Sequence, residues 1–420
     1  MMQPVASKPD HDVAYVTDVE GSWDRLASYF VDNPHVRLDA DGRVHLSPGV
    51  TFVFGGDAID RGPWSRRIVR TLLDVKQRHP NRVVLLAGNR DLNKLRLVRE
   101  LDGHPPKRAP DEIRAAPRAA QLQWILANTM GAADAFEHRR AELAIERATS
   151  TVEDEDVAQS YVDDLAPDGE LARYLEQCQL TFKAGRTLFV HGGIAAEALT
   201  VVPGTPDGDL AHLDVDAWMA RLENFYVQQM GAFRARVIEP DGRPAWESAI
   251  LYQAPRKGMK LNPGSVVYGR LADELNNPTL PAPDVVDALL RSGVSRVVVG
   301  HTPSGDTPSL VRSSTARAPF EVLIADNSRS RVPSGSKVVV RDDGLVIRGR
   351  VILDDGNARD VALALPADDR TTPVGRRMTD GDLVKGPLES GWLVFRYKPA
   401  YEVTQRVVVG ELGPLVDALE

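Results

Sequence analysis

The sequence has very little cysteine: Cys178 stands alone among 420 residues. An intrachain disulfide is therefore excluded, as is any zinc or iron–sulfur site built from several thiolates. A lone thiol suits a reducing compartment. Long apolar runs are also missing, since none approaches the roughly 20 residues that a membrane-spanning helix needs. Residues 1–16 carry no apolar stretch of leader length, so the expectation is a cytoplasmic protein without membrane association. Positive charge is not in excess. Lys and Arg number 51 against 59 Asp and Glu, for a net charge of −8. That argues against general nucleic-acid binding while allowing a local cationic pocket. Internal repeats and low-complexity tracts are absent. What remains is an ordinary globular composition, 43% hydrophobic and 26% charged, in a chain whose length predicts two to three units at about 150 residues each.

Six short apolar runs organise the chain, and each ends in polar residues. Residues 14–17 precede Asp18, 51–54 precede Gly55-Gly56-Asp57, and 82–87 precede Gly88-Asn89. Further on, 188–190 precede His191, 296–299 precede Gly300-His301, and 322–325 precede Asp326. Runs this short and rich in Val, Ile and Phe read as strands buried on both faces. Helical periodicity lies between them over 23–31, over 64–77 with Ile68, Leu72, Leu73 and Val75, and over 285–291. Strands alternating with helices predict a layered α/β core.

Residues 12–97 and 181–333 form this core. Between them, 98–180 reads as a helical insertion, with one helix over 121–147 and another over 170–179. A second insertion, 200–262, carries Trp218, Phe225, Tyr226, Phe233 and Trp246, which read as packing residues. The remainder, 334–420, reads as a β-rich extension. Asp342-Asp343-Gly344 and Asp354-Asp355-Gly356 suit tight hairpin turns there.

In an open α/β sheet, ligands bind at the C-terminal ends of the strands. Those ends carry Asp18 and Glu20, then Asp57, Asp60 and Arg61, then Asn89, Arg90 and Asp91, and finally His191 and His301. Carboxylates, a carboxamide and two imidazoles from separate strands are the donor set of a divalent-metal cage, suited to Mn2+, Fe or Zn2+. One carboxylate shared by two ions gives a pair about 3.5–4 Å apart that can clamp a phosphoryl group.

These residues resemble the calcineurin-like metallophosphoesterases, in the branch of phosphoprotein phosphatases and symmetrical dinucleoside-tetraphosphate hydrolases. Gly56-Asp57-Ala58-Ile59-Asp60-Arg61-Gly62 is similar to the family's GDxxDRG signature, and Gly88-Asn89-Arg90-Asp91 to GNH[DE]. His191-Gly192-Gly193 and Gly300-His301-Thr302-Pro303 resemble the two later elements, and Asp18-Val19-Glu20-Gly21 the opening D-x-H-G. All five stand in family order.

The resemblance implies a β-sandwich core flanked by helices, two divalent metal ions, and in-line attack by a metal-bound hydroxide. Asp57 would bridge the ions. Asp18 and Glu20 would hold the first, and Asn89, His191 and His301 the second. Asp60, Arg61 and Arg90 would serve catalysis. Arg61, Arg90 and Arg270 would bind substrate, Arg270 because related phosphatases often place a phosphate-binding arginine near that point. The implied activity is hydrolysis of a phosphate monoester or phosphoanhydride on a small molecule or nucleotide.

The chain departs from the pattern twice. Glutamate replaces the first-metal histidine at position 20. As a harder, anionic donor it favours Mn2+, with Mg2+, Fe and Zn2+ as alternatives. Arg90 replaces the family's catalytic histidine and cannot act as a general acid, because its pKa is above about 12. Loss of a general acid costs on the order of 10²–10⁴ in rate, least where the leaving group is a phosphate in an anhydride. The same residues permit a non-catalytic relative that binds a phosphorylated ligand, or a dinuclear enzyme turned to non-hydrolytic chemistry. Arg90 also suits a structural ion pair with Asp60 or Asp91. His104, His138 and His212 read as surface histidines, and Asn93 and Lys94 as the exposed start of a helix.

Overall fold

Alternation along the strands decides the layers. The computed structural model describes residues 12–313, 319–367, 369 and 371–416. Residues 1–11, the greater part of the 1–16 segment without a leader-length apolar stretch, and the last four of the C-terminal extension lie outside the described set. In the Asp12–Val16 strand, Val13 and Tyr15 point into one apolar cluster while Ala14 and Val16 point into another. Successive side chains of a strand face opposite ways, so one strand serves two cores.

The first cluster lies between two sheets. Among the described residues the larger sheet has seven strands in the order Ala358–Pro366, Gly344–Ile352, Lys337–Arg341, Asp12–Val16, Val50–Phe54, Val83–Leu86, Cys178–Gln179. Its partner has five, ordered Ser309–Ser313, Phe320–Asp326, Arg296–Pro303, Thr187–Val190, Thr181–Ala184. Tyr15 and Phe189 bridge the gap with ring centroids 5.7 Å apart. On the outer faces lie helices. The Ser65–Arg78 helix buries Ile68, Val69, Leu72 and Val75, a single stripe at helical spacing. The Pro283–Arg291 helix buries Val285, Val286 and Leu289 in the same way. This is the α/β sandwich with flanking helices that the sequence predicts.

Two expectations change. The single helix over 121–147 is two, Arg118–Thr129 and Ala135–Glu146. Gly131 lies between them at φ +60°, a conformation glycine adopts without strain and at which helices end. The apolar spacing runs across the break because both helices bury residues in one core cluster. The helix at 170 stops at Gln177, and Cys178–Gln179 becomes an edge strand beside Leu85 and Leu86.

The C-terminal region divides. Lys337–Arg341 pairs antiparallel with Asp12–Val16, so 337–366 completes the main sheet. Beyond it, five strands from Arg377 to Val416 form a separate sheet. That sheet is tied to the loop following the Arg296–Pro303 strand. Lys385 Nζ donates to Ser304 O at 2.6 Å and to Thr307 O. Gly305 N donates to the Tyr397 hydroxyl at 3.0 Å. Among the described residues no helix is long and apolar enough to cross a membrane.

Candidate metal centre

The parallel strands Asp12–Val16, Val50–Phe54 and Val83–Leu86 of one sheet end at the same edge as Thr187–Val190, Arg296–Pro303 and Phe320–Asp326 of the other. Their following loops lace together. Asp18 N donates to Gly56 O at 3.0 Å, Glu20 N to Asp57 O at 2.9 Å, and Gly62 N to Glu20 O at 2.6 Å. Asp18, Glu20, Asp57, Asp60 and His301 all hold positive φ. Such conformations cost of order 1–3 kcal/mol each for a non-glycine residue and gather where surroundings over-determine the backbone. Gly56 is required by close approach, because a Cβ there would stand 2.6 Å from His191 Nδ1.

One half of the cage is well defined. His191 is fully buried, and its Nδ1 lies 2.8 Å from Gly55 O. Donation to that carbonyl fixes the tautomer and leaves the Nε2 lone pair facing inward. Nε2 lies 3.4 Å from Asp57 Oδ1 and 3.2 Å from the Asn89 carboxamide oxygen, which in turn lies 2.7 Å from His301 Nδ1. Asp57, His191 and His301 each offer a ligand atom, all within 4.8 Å of one another. With its oxygen inward, Asn89 adds a further acceptor, which a cation or an Nδ1–H of His301 would satisfy. Turned over, its NH2 reaches His191 Nε2 at 3.2 Å, Asp57 Oδ2 at 3.3 Å and His301 Nδ1 at 2.7 Å. The carboxamide thus serves a site with or without a cation. Burial, then Arg270, then His191, hold the His301 pKa well below its ordinary value, which keeps the ring neutral with one nitrogen lone pair to offer. These donors fit a divalent cation.

The other half is richer in carboxylate. Asp18 accepts from His301 N through both oxygens at 3.2 Å, and from Thr17 Oγ1 at 2.5 Å. Burial, then Asp326, then Asp57, push its carboxyl well above the ordinary range, a penalty that bound positive charge would relieve. Asp326 stands at the end of the sixth apolar run but matches none of the five motifs. Only tertiary structure brings it to the cavity, where it is 3% exposed. The signal in the sequence was its position at a strand end.

Glu20 faces two arginines. Arg90 Nε donates to its Oε1 at 2.6 Å, and Arg61 Nη1 to its Oε2 at 2.9 Å. Arg90 also lies 3.7 Å from Asp57 Oδ2 and 3.6 Å from Asp60 Oδ2. Of the two ion pairs open from the sequence, the one to Asp60 is long, and none to Asp91 is found. Instead Asp91 accepts from Asp57 N and Ala58 N at 2.9 Å and from Gly88 N at 3.1 Å. Asp60 is buried behind the cavity wall, where Lys94 Nζ donates to it at 2.8 Å. Lys94 is not the exposed helix start expected, since it is 0% exposed; an ammonium buried that deeply needs its carboxylate. Asn93 lines the cavity. His104 and His212 are exposed, as expected, while a ring nitrogen of His138 is buried.

The cavity at this edge has a volume of about 320 Å³. Asp18, Glu20, Asp57, Asn89, His301 and Asp326 line it, with Arg61, Arg90 and Arg270. Both insertions reach it, through Met130 and Gly131 and through Gln253 and Ala254. So does the C-terminal region, through Tyr401. The aromatic residues of the second insertion pack as expected, with Trp218 and Trp246 fully buried.

Residues 11–305 match the family model described as calcineurin-like phosphoesterase, so the chain belongs to the calcineurin-like phosphoesterase family. No curated protein matches it. Among solved structures it is similar to a cold-active protein-tyrosine phosphatase of a psychrophile, Shewanella sp. The two are 16% identical over 86% of this chain and 82% of that one, with a TM-score of 0.47. A protein serine/threonine phosphatase from Saccharomyces cerevisiae with similarity to human phosphatase PP5 is 14% identical, over 87% of this chain and 83% of that one, with a TM-score of 0.37. At these TM-scores the likenesses carry no argument about substrate.

Proposed function

We propose that the protein hydrolyses a phosphoanhydride or phosphate monoester on a small molecule or nucleotide, using two divalent ions, with Mn2+ the favoured metal. The observation that carries this reading is the convergence of Asp57, Asn89, His191 and His301 on one point, inside a cavity that arginines also line. Asp57, Asn89, His191 and His301 would hold one ion. Asp18 and Asp57 would hold the other, with Asp326 as the nearby carboxylate. Bound divalent ions polarise phosphoryl oxygens and lower the pKa of water.

The chain's own residues supply orientation. Arg61, Arg90 and Arg270 offer planar N–H groups suited to phosphate oxygens. Glu20 acquires a different job from the one the family pattern implies, since it holds Arg61 and Arg90 at fixed positions on the cavity wall. Neither arginine can protonate a leaving group. That supports a substrate whose leaving group departs unprotonated, so anhydrides are preferred to alkyl esters.

The test is phosphate release by the purified protein, with and without Mn2+, from p-nitrophenyl phosphate, an alkyl phosphate and a dinucleoside polyphosphate. Metal-dependent release from the first and third is expected, with little from the alkyl ester. Two bound ions and no release from any would overturn hydrolysis and favour the ligand-binding or non-hydrolytic reading.

A further inference from the structure

The arginines of the cavity differ in how their charge is met. Arg61 is paired with Glu20, and Arg90 with Glu20, Asp57 and Asp60. Arg270 and Arg329 have no such partner among the described residues. Arg270 Nη1 donates only to neutral oxygens, Asn276 Oδ1 at 3.0 Å and the Tyr401 hydroxyl at 3.2 Å, and its Nε is buried without a partner. The Arg329 guanidinium stands 4.4 Å over the Tyr401 ring. Among the described residues this cation–π contact leaves its in-plane N–H groups without a hydrogen-bond partner.

These three residues form a continuous wall on the His301 side of the cavity. Tyr268 packs on His301 with ring centroids 5.1 Å apart, and both Tyr268 and Arg270 line the cavity beside it. Tyr401 is held from the C-terminal sheet. Tyr397 N donates to Asn277 Oδ1 at 2.7 Å, and Tyr397 packs edge-on against Tyr401 at 5.9 Å. Arg329 and Tyr401 both lie beyond residue 305, where the family match ends. Two guanidinium groups without carboxylates, Arg270 half-buried and Arg329 exposed at the cavity rim, stand beside a site that already holds cationic groups for one phosphate and are placed to meet a further anion. Of the two, the half-buried Arg270, with its Nε buried and unpartnered, is the costlier to leave without a counter-charge.

We propose that Arg270, Arg329 and Tyr401 form a second anion subsite, which takes a phosphate of the substrate other than the one at the metal cage. The preferred substrate is then a diphosphate or longer phosphoanhydride, bound across both subsites. This rests on the phosphoesterase reading for the identity of the first subsite, though the second can be tested without turnover.

The experiment measures binding of methylenediphosphonate and of inorganic phosphate to the Mn2+-loaded full chain by calorimetry, for wild type, Arg329→Ala, Arg329→Lys and Tyr401→Phe. Beside it, KM and kcat for p-nitrophenyl phosphate are followed. Arg329→Ala should weaken methylenediphosphonate by about tenfold or more, the scale of one charge-assisted contact, and leave inorganic phosphate and p-nitrophenyl phosphate within about twofold. Arg329→Lys should recover part of the loss. Tyr401→Phe should cost a smaller factor, about threefold, by freeing Arg270. Equal affinity of wild type for the two ligands, or equal loss of both in Arg329→Ala, would overturn the second subsite. Absence of phosphate release from p-nitrophenyl phosphate, the alkyl phosphate and the dinucleoside polyphosphate alike, with the diphosphonate preference intact, would instead overturn hydrolysis and leave the subsite standing.

Discussion

Glu20 and Arg90 meet at 2.6 Å, so the two positions at which this chain departs from its family are one structural unit. Burial disfavours the Arg90 charge, but Glu20, Asp57 and Asp60 more than offset it and hold its pKa above the ordinary value. Burial likewise raises the Glu20 carboxyl, against the pull of Arg90 and Arg61. Each residue thus offsets part of the other's cost of burial, Arg61 adding to it for Glu20 and Asp57 and Asp60 for Arg90.

Coupling between them follows. In a double-mutant cycle of Glu20→Gln and Arg90→Gln, urea midpoints should reveal an interaction of about 1–3 kcal/mol. Effects that add within about 0.5 kcal/mol would mean the contact is energetically idle. Glu20→Gln should also raise KM for p-nitrophenyl phosphate while the protein keeps both ions.

Metal content separates the carboxylates. If Asp57 bridges two ions as proposed, Asp57→Asn should leave no more than one ion per chain by elemental analysis, because the carboxylate loses its charge. Asp326→Asn should weaken one Mn2+ site by roughly tenfold. Unchanged stoichiometry and affinity in Asp326→Asn would remove that residue from the metal set.

Gly300 offers a steric test. A Cβ there would lie 2.2 Å from Asp18 Oδ2 and 2.5 Å from Thr17 Oγ1. Gly300→Ala should therefore displace the Asp18 carboxylate, and Mn2+ affinity should fall while circular dichroism stays that of a folded chain. Retention of full affinity would place Asp18 outside the site.

Lys385 predicts a pH dependence. Burial pushes its pKa down to about 7, with Asp306 pulling the other way. The unfolded lysine titrates near 10.4. Between these values the unfolded chain binds a proton that the folded chain has released, so stability rises with pH; below about 7 both hold it and the deficit is constant. Relative to Lys385→Met, wild type should gain stability from pH 7 to 9, approaching about 1.4 kcal/mol per pH unit. Parallel melting curves for the two proteins across that window would refute the shift.

Much of the frame could be read from residues in order. Short apolar runs ending in Asp, Asn or His mark the strands and the edge at which they deliver ligands, because a strand buried on both faces has no polar positions to spare. Helix breaks were harder. Met130 and Phe136 continue one apolar spacing across Gly131, since periodicity reports which residues are buried and not whether the backbone between them is helical. Lys94 was misread for a related reason. A charged residue reads as exposed unless its partner is known, and Asp60 is 34 positions away.

The sequence by itself determined the layered core and the donor types of the cage, because strand alternation and strand-end chemistry are local properties. Tertiary structure alone decided that Glu20 spends both oxygens on Arg90 and Arg61, that Asp326 joins Asp18 at the cavity, and that Tyr401 from a separate sheet reaches Arg270. Those outcomes depend on distances between segments as far apart in the chain as Asp18 and Asp326, which the packing of the two sheets and the anchoring of the third set, and no local pattern encodes.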